Sequence, residues 1–365
     1  MRQYSSAAMS DSGYSLEVLE RSPRHQVHVV HPVRRRYWVH ALLFLATVFS
    51  TLIVGARLEY NFSSGAPQFS TDDDFLPFQW TLHQPSRLLL GIPFAASLLS
   101  ILLAHEMGHF LYARRHHVYA TLPYFLPAPT VIGTFGAFIR IRSPIPNRTA
   151  LMDIGIAGPI AGFLVALPLL VASLVLSTPL DHASGIPVGL PLVFQMFWKL
   201  LHPFSAVPLS HMNLHPMALA VWVGMLATAL NLLPAGQLDG GHIVYSTFPK
   251  FHRTATRLTA LALVPMGIFL WEGWLLWSFV LLLPWMRHPP VPVLPGIGRS
   301  RKMLGMAALL MFVLSLPLVP FAGHSPWEQV RPWVLKHLAL QSSSTQALQE
   351  LEMKFAQALA GTVHY

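Results

Sequence analysis

Residues 88–113 read LLLGIPFAASLLSILLAHEMGHFLYA, an uncharged apolar run that continues into two histidines and a glutamate. A helix needs about 20 apolar residues to cross the hydrocarbon core of a bilayer, and this run supplies them. Ionisable side chains within a membrane helix cost a few kcal/mol each on insertion scales, so His105, Glu106 and His109 are expected to serve a function. The stretch therefore predicts a membrane helix that carries a chemical site towards its end.

The composition of the whole chain is also that of a membrane protein. Of its 365 residues 53% are hydrophobic and 11% charged, and the mean hydropathy is +0.49. Soluble domains carry about 25% charged residues, and disordered chains combine low hydrophobicity with high charge, so this composition fits neither class. The net charge of +9 is assigned to membrane topology and not to nucleic-acid binding, because no basic stripe accompanies a nucleic-acid-binding motif. With no cysteine, any metal must be bound by nitrogen and oxygen ligands.

The other apolar runs predict an all-α polytopic membrane protein with about 6–7 transmembrane helices. The runs lie at residues 37–56, 88–113, 151–176, 216–233, 258–285 and 303–319. The run at 258–285 is either one long span or a hairpin turning near Glu272 and Gly273. Basic residues on both sides of that run favour an even number of crossings, and hence the hairpin.

Charge also predicts the orientation and the domain boundaries. Residues 21–36 contain five arginines and no acid, which places the N-terminus in the cytoplasm by the positive-inside rule. We therefore expect a basic cytoplasmic arm at 1–36, a membrane-embedded domain at 37–320 and a polar tail at 321–365.

Proline and glycine interrupt the helical pattern between the second and third spans. Residues 133–141 read GTFGAFIRI and favour extended backbone. Such backbone is tolerated at membrane depth only where protein or a wet cavity satisfies its polar groups. A small membrane-embedded β element is therefore predicted here.

The HEMGH motif has the spacing of a zinc site. His105 and His109 are four residues apart on one helical face, so both imidazoles can bind one Zn²⁺ while Glu106 approaches a metal-bound water. The metal lowers the pKa of that water towards ~7, and the carboxylate accepts its proton as the water attacks a carbonyl. The alternative is that the histidines only form polar contacts between helices.

A third ligand is expected from residues 231–242, NLLPAGQLDGGH. Pro234 ends the helix and the glycines allow the chain to turn, so Asp239 can project inward. Asp239 is the predicted third ligand. His242 is the alternative ligand, and a helix-capping carboxylate is the alternative role for Asp239.

Together, the HExxH helix, the later NxxPxxxLDG and the intervening GTFGAF resemble the site-2 protease family of intramembrane zinc metalloproteases, peptidase family M50. The similarity covers about residues 38–320 and is strongest to bacterial and plastid-like members without a PDZ insertion. The resemblance implies one Zn²⁺ per chain bound by His105, His109 and Asp239. It also implies that Glu106 is the general base and that Asn231 assists at the substrate or transition state.

The family resemblance further implies a substrate and a location. Family members hydrolyse peptide bonds in or near transmembrane segments during regulated intramembrane proteolysis, so transmembrane proteins and the lipid bilayer are the expected partners. A bacterial cytoplasmic membrane is the expected location. The strand expected to pair with an extended substrate comprises Gly133, Thr134, Phe135, Gly136, Ala137 and Phe138. A membrane transporter and a non-catalytic metal-binding scaffold are the alternatives, and the oligomeric state is not predicted.

The remaining ionisable and glycine residues receive structural predictions. Asp153 is expected to place a negative charge near a helix N-terminus, and Glu272 to be solvated at the hairpin turn. Solvated positions without a metal are expected for His116, His117, His211 and His215. Close helix packing, not ligand binding, is expected for Gly155, Gly158 and Gly162.

Overall fold

The computed structural model describes residues 37–66, 68, 77–179, 188–204, 207–292, 296–323, 325–341 and 353–354. The predicted basic arm, the loop residues Asp72, Asp73 and Asp74, and most of the polar tail lie outside the described residues.

Helices dominate the described residues. They are α1 (Tyr37–Ser63), α2 (Phe78–Leu82), α3 (Ile92–Arg115), α4 (Arg148–Leu176), α5 (Leu192–Leu201), α6 (Pro216–Asn231), α7 (Asp239–Thr247), α8 (His252–Phe269), α9 (Gly273–Leu282), α10 (Arg299–Ser315) and α11 (Pro326–Gln341). The strands are β1 (Tyr124–Pro127), β2 (Thr134–Phe138), β3 (Thr178–Pro179) and β4 (Met212–Asn213).

Three helical segments are long and apolar enough to cross a membrane. They are Tyr37–Ser63, Pro85–Arg115 and Arg148–Leu176, which correspond to the first three predicted spans. The apolar helices α6 and α9 have 16 and 10 residues, fewer than the about 20 that a straight span needs. The mostly helical membrane fold is confirmed, whereas the predicted count of 6–7 spans stays a prediction.

The predicted break at Glu272 is present. Helix α8 ends at Phe269 and α9 begins at Gly273, with Glu272 exposed between them. The two helices pack closely, since a side chain at Gly267 would stand 2.5 Å from Leu275 Cγ. The hairpin therefore exists as a structural unit.

Helix α3 lies at the centre of the membrane domain, against α1, α4 and α6. Its contact with α4 is close because Gly108 has no side chain, so the Ala157 carbonyl of α4 occupies that space. Apolar side chains from α3, α4 and α6 share one buried cluster, which includes Ile101, Ile156 and Met225. This packing fixes the position of the HEMGH turn relative to its neighbours.

The predicted β element is an antiparallel hairpin of β1 and β2. Tyr124 lies opposite Phe138, and Pro127 opposite Thr134. The hairpin runs along α1: His40 Nδ1 donates to the Pro123 carbonyl (3.1 Å), and Ser50 Oγ donates to the Gly133 carbonyl (2.6 Å). His40 and Ser50 are ten helical residues apart, which corresponds to roughly 15 Å, so the hairpin follows α1 over about that length.

A second sheet, with two residues in each strand, joins the end of α4 to the segment before α6 and was not predicted from the sequence. Thr178, after α4, pairs with Asn213, before α6. Helix α11 was likewise not predicted, although its first turn has a recognisable start: Ser325 Oγ accepts from the Glu328 amide at 3.2 Å.

The predictions for two histidines need correction, whereas the structural role of Asp153 gains a partner. Asp153 lies near the N-terminus of α4, as expected, and binds Arg301 of α10 through two 2.7 Å hydrogen bonds. Asn147 caps the same helix, accepting from the Ala150 amide at 2.9 Å. His116 donates to Asp153 at 2.9 Å, and His215 is buried with Nδ1 accepting from the Met217 amide, so neither is simply solvated.

Candidate metal centre

Two elements converge to form the centre. Helix α3 supplies His105 and His109, and Asp239 is the first residue of α7. The chain turns sharply between α6 and α7, with Gly236 at φ +56°. Side chains at Gly240 and Gly241 would overlap the Leu232 and Ala235 carbonyls, so glycine is required for this turn to close. The predicted role of the proline and glycine residues in directing Asp239 inward agrees with this geometry.

The three ligand atoms lie close together. His105 Nε2 and His109 Nε2 are 3.1 Å apart, and each is 3.3 Å from Asp239 Oδ2. Metal–ligand bonds of about 2.0–2.1 Å in a tetrahedron place neighbouring ligand atoms roughly 3.3–3.4 Å apart. The group is the one set of at least three potential ligands that converges among the described residues. Its geometry and its nitrogen and oxygen donors fit zinc.

Hydrogen bonding prepares the imidazole of His109 for a cation. His109 Nδ1 donates to the Ile154 carbonyl of α4 at 2.8 Å, which leaves Nε2 with its lone pair facing His105 and Asp239. Asp239 Oδ2 is shielded from solvent and has no hydrogen-bond partner among the described residues. Buried polar atoms are usually satisfied, so this orphaned oxygen also indicates a missing ligand.

Glycines of α4 make room for the histidine side chains at and beside the centre. A side chain at Gly158 would overlap the ring of His109, including Nε2. One at Gly162 would stand 3.2 Å from His105 Cβ, and one at Gly155 would stand 3.0 Å from His242 Cβ. The packing role predicted for these glycines is confirmed: Gly158 and Gly162 pack against the two histidines of the converging group, and Gly155 packs against His242, which lies outside that group.

Glu106 is buried beside the ligand group at 7% exposure. The backbone amide of Ile139, the residue after β2, approaches its carboxylate. The end of the β hairpin therefore meets the HEMGH turn, and an extended segment lying along β2 would reach Glu106.

The other predicted site residues lie around this group. Asn231 is half-buried and ends α6, just before the turn that leads to Asp239. In β2, Thr134 is buried, whereas Phe135 and Phe138 are 72% and 45% exposed. Among the described residues β2 pairs with β1 alone, so its second edge is open.

A histidine pair beside the centre was not found from the sequence. His242 Nδ1 is 2.9 Å from His288 Nε2, and His288 Nδ1 donates to the Pro289 carbonyl at 2.6 Å. Burial, with His252 nearby, lowers the pKa of His288 to about 4, so its neutral ring accepts the proton of His242 Nδ1. His242, the alternative third ligand, is thus held by His288 and does not belong to the converging group. The two residues are 46 positions apart, and no spacing rule links them.

Comparison with known proteins places these observations in a family. Residues 93–271, which include all three predicted ligands and Glu106, match the model of peptidase family M50. These residues form a domain of peptidase family M50. This agrees with the resemblance to site-2 proteases inferred from the motifs.

The proteins similar to this chain include two from plants. The chain is 31% identical over 304 residues to the probable zinc metalloprotease EGY1, chloroplastic, of Arabidopsis thaliana, covering 77% of this chain and 53% of that protein. It is 29% identical over 238 residues to the probable zinc metalloprotease EGY2, chloroplastic, of the same plant, covering 63% and 42%. The chain spans about half the length of the curated relatives it matches.

Proposed function

We propose that this protein is an intramembrane zinc metalloprotease that hydrolyses peptide bonds in or near the transmembrane segments of other proteins. The observation that carries this proposal is the convergence within 3.3 Å of His105 and His109, which lie in an apolar helix, with Asp239 of α7, next to a buried glutamate. The M50 domain at 93–271 and the zinc metalloprotease names of the relatives support it.

His105, His109 and Asp239 would hold one Zn²⁺. When bound, the metal supplies a Lewis acid that polarises a carbonyl and lowers the pKa of a water molecule. The Ile154 carbonyl keeps His109 in the tautomer that can bind, and Gly158 leaves space for its ring. These contacts hold the ligands in place before the metal arrives.

Glu106 is the proposed general base and acid. Its carboxylate accepts a proton from the water molecule that attacks the peptide carbonyl. It then donates a proton to the departing amine. Burial keeps bulk water from competing for that proton, and the Ile139 amide helps to orient the carboxylate. Asn231, at the end of α6, is proposed to hold the substrate or to donate to the developing oxyanion.

The open edge of β2 is the proposed substrate-binding strand. A transmembrane helix hides its amides in internal hydrogen bonds, so it must unwind before a bond can be cut. The freed amides and carbonyls would pair with residues 133–138, which include the open-edged β2 and approach Glu106 at their C-terminal end. Pairing through backbone atoms allows many apolar sequences to bind.

The position of the ionisable groups favours a protease over a transporter. Ion pathways distribute charged groups along the depth of several helices. Here the two histidines and two acids gather at one depth, where α3 meets α7. A metal held for stability alone would not require Glu106 beside it.

The finer aspects of topology and location are also proposals. We propose the division into a basic arm at 1–36, a membrane domain at 37–320 and a tail at 321–365, with 6–7 spans and a cytoplasmic N-terminus. Arg114 and Arg115, which end α3, support the orientation by the positive-inside rule. A bacterial cytoplasmic membrane is proposed for this chain on the likeness of its motifs to bacterial members, while the chloroplastic location belongs to the plant relatives.

The decisive experiment measures zinc and cleavage together in detergent-purified protein. The native chain should contain one zinc and cleave members of a panel of single-span substrates. Glu106→Gln should keep the zinc and lose cleavage, whereas Asp239→Ala should lose both. The proposal would be overturned if the native protein, intact and supplied with zinc, retained none. A Glu106→Gln variant that still cleaves would also overturn it.

A further inference from the structure

Helix α7, which carries Asp239 as its first residue, has little stability of its own. It has nine residues, two of them are Gly240 and Gly241, and no side chain caps its N-terminus. Isolated helices shorter than about 12 residues are marginal in water, and each glycine costs about 1 kcal/mol relative to alanine. The position of the predicted third ligand therefore depends on what packs against α7.

The segment that follows α9, residues 284–292, packs against the turn before Asp239. We call this segment the strap. Gln237 Nε2 donates to the Trp285 carbonyl at 2.6 Å and to the Arg287 carbonyl at 3.0 Å. The strap thus binds the chain two residues before the predicted ligand.

The strap also binds the body of α7. The His288 ring donates from Nδ1 to the Pro289 carbonyl, so its Nε2 accepts from His242 Nδ1 at 2.9 Å. The same ring stacks on Tyr245, with ring centroids 4.0 Å apart, and the Tyr245 hydroxyl accepts from the Val291 amide at 3.2 Å. These contacts begin three residues after the predicted ligand, so the strap holds α7 on both sides of it.

His242 joins α7 to two neighbours. A side chain at Gly155 of α4 would stand 3.0 Å from His242 Cβ, while the imidazole Nδ1 is bound to His288 of the strap. If the strap were released, α7 could shift against α4. Asp239 Oδ2 would then leave its place 3.3 Å from each of the two imidazole nitrogens of α3.

We propose that the strap positions Asp239 for the metal, and that His288, acting through His242, is its main positioning residue. This role rests on the proposed function, because it requires a zinc ion bound by Asp239 and the two histidines of α3. His288 itself contacts neither the metal ligands nor the substrate strand in any described hydrogen bond or ion pair. Its contribution is to slow the loss of zinc from the centre.

Zinc release tests this role without measuring cleavage. Detergent-purified, zinc-loaded protein is mixed with an excess of a chelating dye, and the rate of zinc transfer is followed by colour. His288→Ala should release zinc about tenfold faster than the native protein, the size of effect expected when an indirect support of a metal site is removed. His288→Gln, whose amide oxygen can accept from His242 Nδ1, should restore most of the native rate.

A matched control separates positioning from general stability. Ser278→Ala removes a buried 2.8 Å hydrogen bond between α9 and α8, a few residues before the strap, and leaves the contacts of α7 in place. It should release zinc at the native rate, although its thermal unfolding temperature falls. His288→Ala should therefore release zinc faster than Ser278→Ala even where the two unfold at similar temperatures.

Substitutions of His242 test the path from the strap to the ligand. His242→Asn keeps a donor near the place of Nδ1 and should release zinc at close to the native rate, whereas His242→Ala should release it quickly. The double variant His242→Ala/His288→Ala should release zinc no faster than the faster single variant, because both changes break the same bond. Additive acceleration would overturn the proposed path, and so would fast release from His242→Asn.

The remaining outcomes distinguish this role from the protease itself. Native-rate release from His288→Ala, in a protein that binds zinc and cleaves, overturns the positioning role alone. Equal acceleration in His288→Ala and Ser278→Ala, without rescue by His288→Gln, also overturns it, because the strap would then only stabilise the fold. A native protein that binds no zinc overturns the positioning role and the proposed function together.

Discussion

The α3–α4 contact and the α8–α9 hairpin are both close helix pairs built around glycine, yet they hold different groups together. In the first, Gly108 admits the Ala157 carbonyl and Gly158 admits the ring of His109. In the second, Gly267 admits the side chain and backbone of Leu275. A missing side chain thus makes room for a predicted metal ligand in one place and for an apolar contact in the other.

The two contacts also differ in how much displacement they tolerate. His109 is held by a 2.8 Å hydrogen bond to the Ile154 carbonyl, and its Nε2 must stay within a few tenths of an ångström of its place to bind a metal. At the second contact the Leu275 side chain can rotate, but its backbone nitrogen, 2.6 Å from a Cβ at Gly267, cannot move in that way. The comparison teaches that a displacement at the first contact disturbs a metal-binding atom, whereas one at the second affects only the stability of the fold.

Removing the metal should produce the largest effect, and it should affect the α3–α4 contact much more than the α8–α9 hairpin. At a zinc concentration 1,000-fold above Kd, binding stabilises the folded state by about 4 kcal/mol. A chelator should therefore abolish cleavage and accelerate amide hydrogen exchange in the HEMGH turn of α3 and the first turns of α4. Exchange in α8 and α9 should hardly change. Equal acceleration in both regions would show that the metal stabilises the whole domain and would break the comparison.

Placing one methyl group in each contact is the next test. Gly158→Ala should reduce cleavage about 100-fold and lower the zinc content, because the added Cβ displaces the His109 ring. Gly267→Ala meets Leu275 Cγ at 2.5 Å and should destabilise the fold by about 1–3 kcal/mol while zinc stays stoichiometric. Metal analysis and thermal unfolding of the purified variants measure both. Retained zinc in Gly158→Ala would contradict the steric argument.

The chemistry of the centre was readable from sequence because it depends on local spacing. His105 and His109 follow from the helical repeat, and the glycines beside Asp239 indicate the turn that brings it inward. A small β element was also predicted, since proline and glycine cannot sustain a helix over residues 118–148, although its hairpin form was not. In each case the signal comes from neighbouring residues, even though the convergence of Asp239 with the two histidines is a long-range contact.

What could not be predicted depends on side chains that are distant in the chain. Arg301 binds Asp153 across 148 positions, and His288 holds His242 across 46. No periodicity specifies such partners, because they arise only when the helices have packed.

Breaking the Asp153–Arg301 pair, which lies near the metal centre, should have a smaller effect. Asp153→Asn removes the charge that receives two 2.7 Å hydrogen bonds, which should lower the free energy of unfolding by about 2 kcal/mol. Because Asp153 precedes Ile154, whose carbonyl orients His109, a modest loss of zinc affinity should accompany it. Glu272→Gln, the same change at the exposed hairpin turn, is the control and should alter neither value. Denaturation and zinc competition in detergent provide the measurements, and equal effects of the two variants would remove the distinction.

The smallest expected effect lies inside the α8–α9 hairpin. Ser278 Oγ donates to the Ala260 carbonyl at 2.8 Å in a buried position, and it links the two helices directly. Ser278→Ala removes this bond but leaves the Ala260 carbonyl available to its own helix, so the cost should be about 1 kcal/mol in unfolding free energy. Zinc content and cleavage should remain native, since the hydroxyl contacts no residue of the centre. A loss of zinc in this variant would mean that the hairpin and the metal centre are coupled. Damage to the α8–α9 contact would then also reduce metal binding, contrary to what the packing of the two contacts indicates.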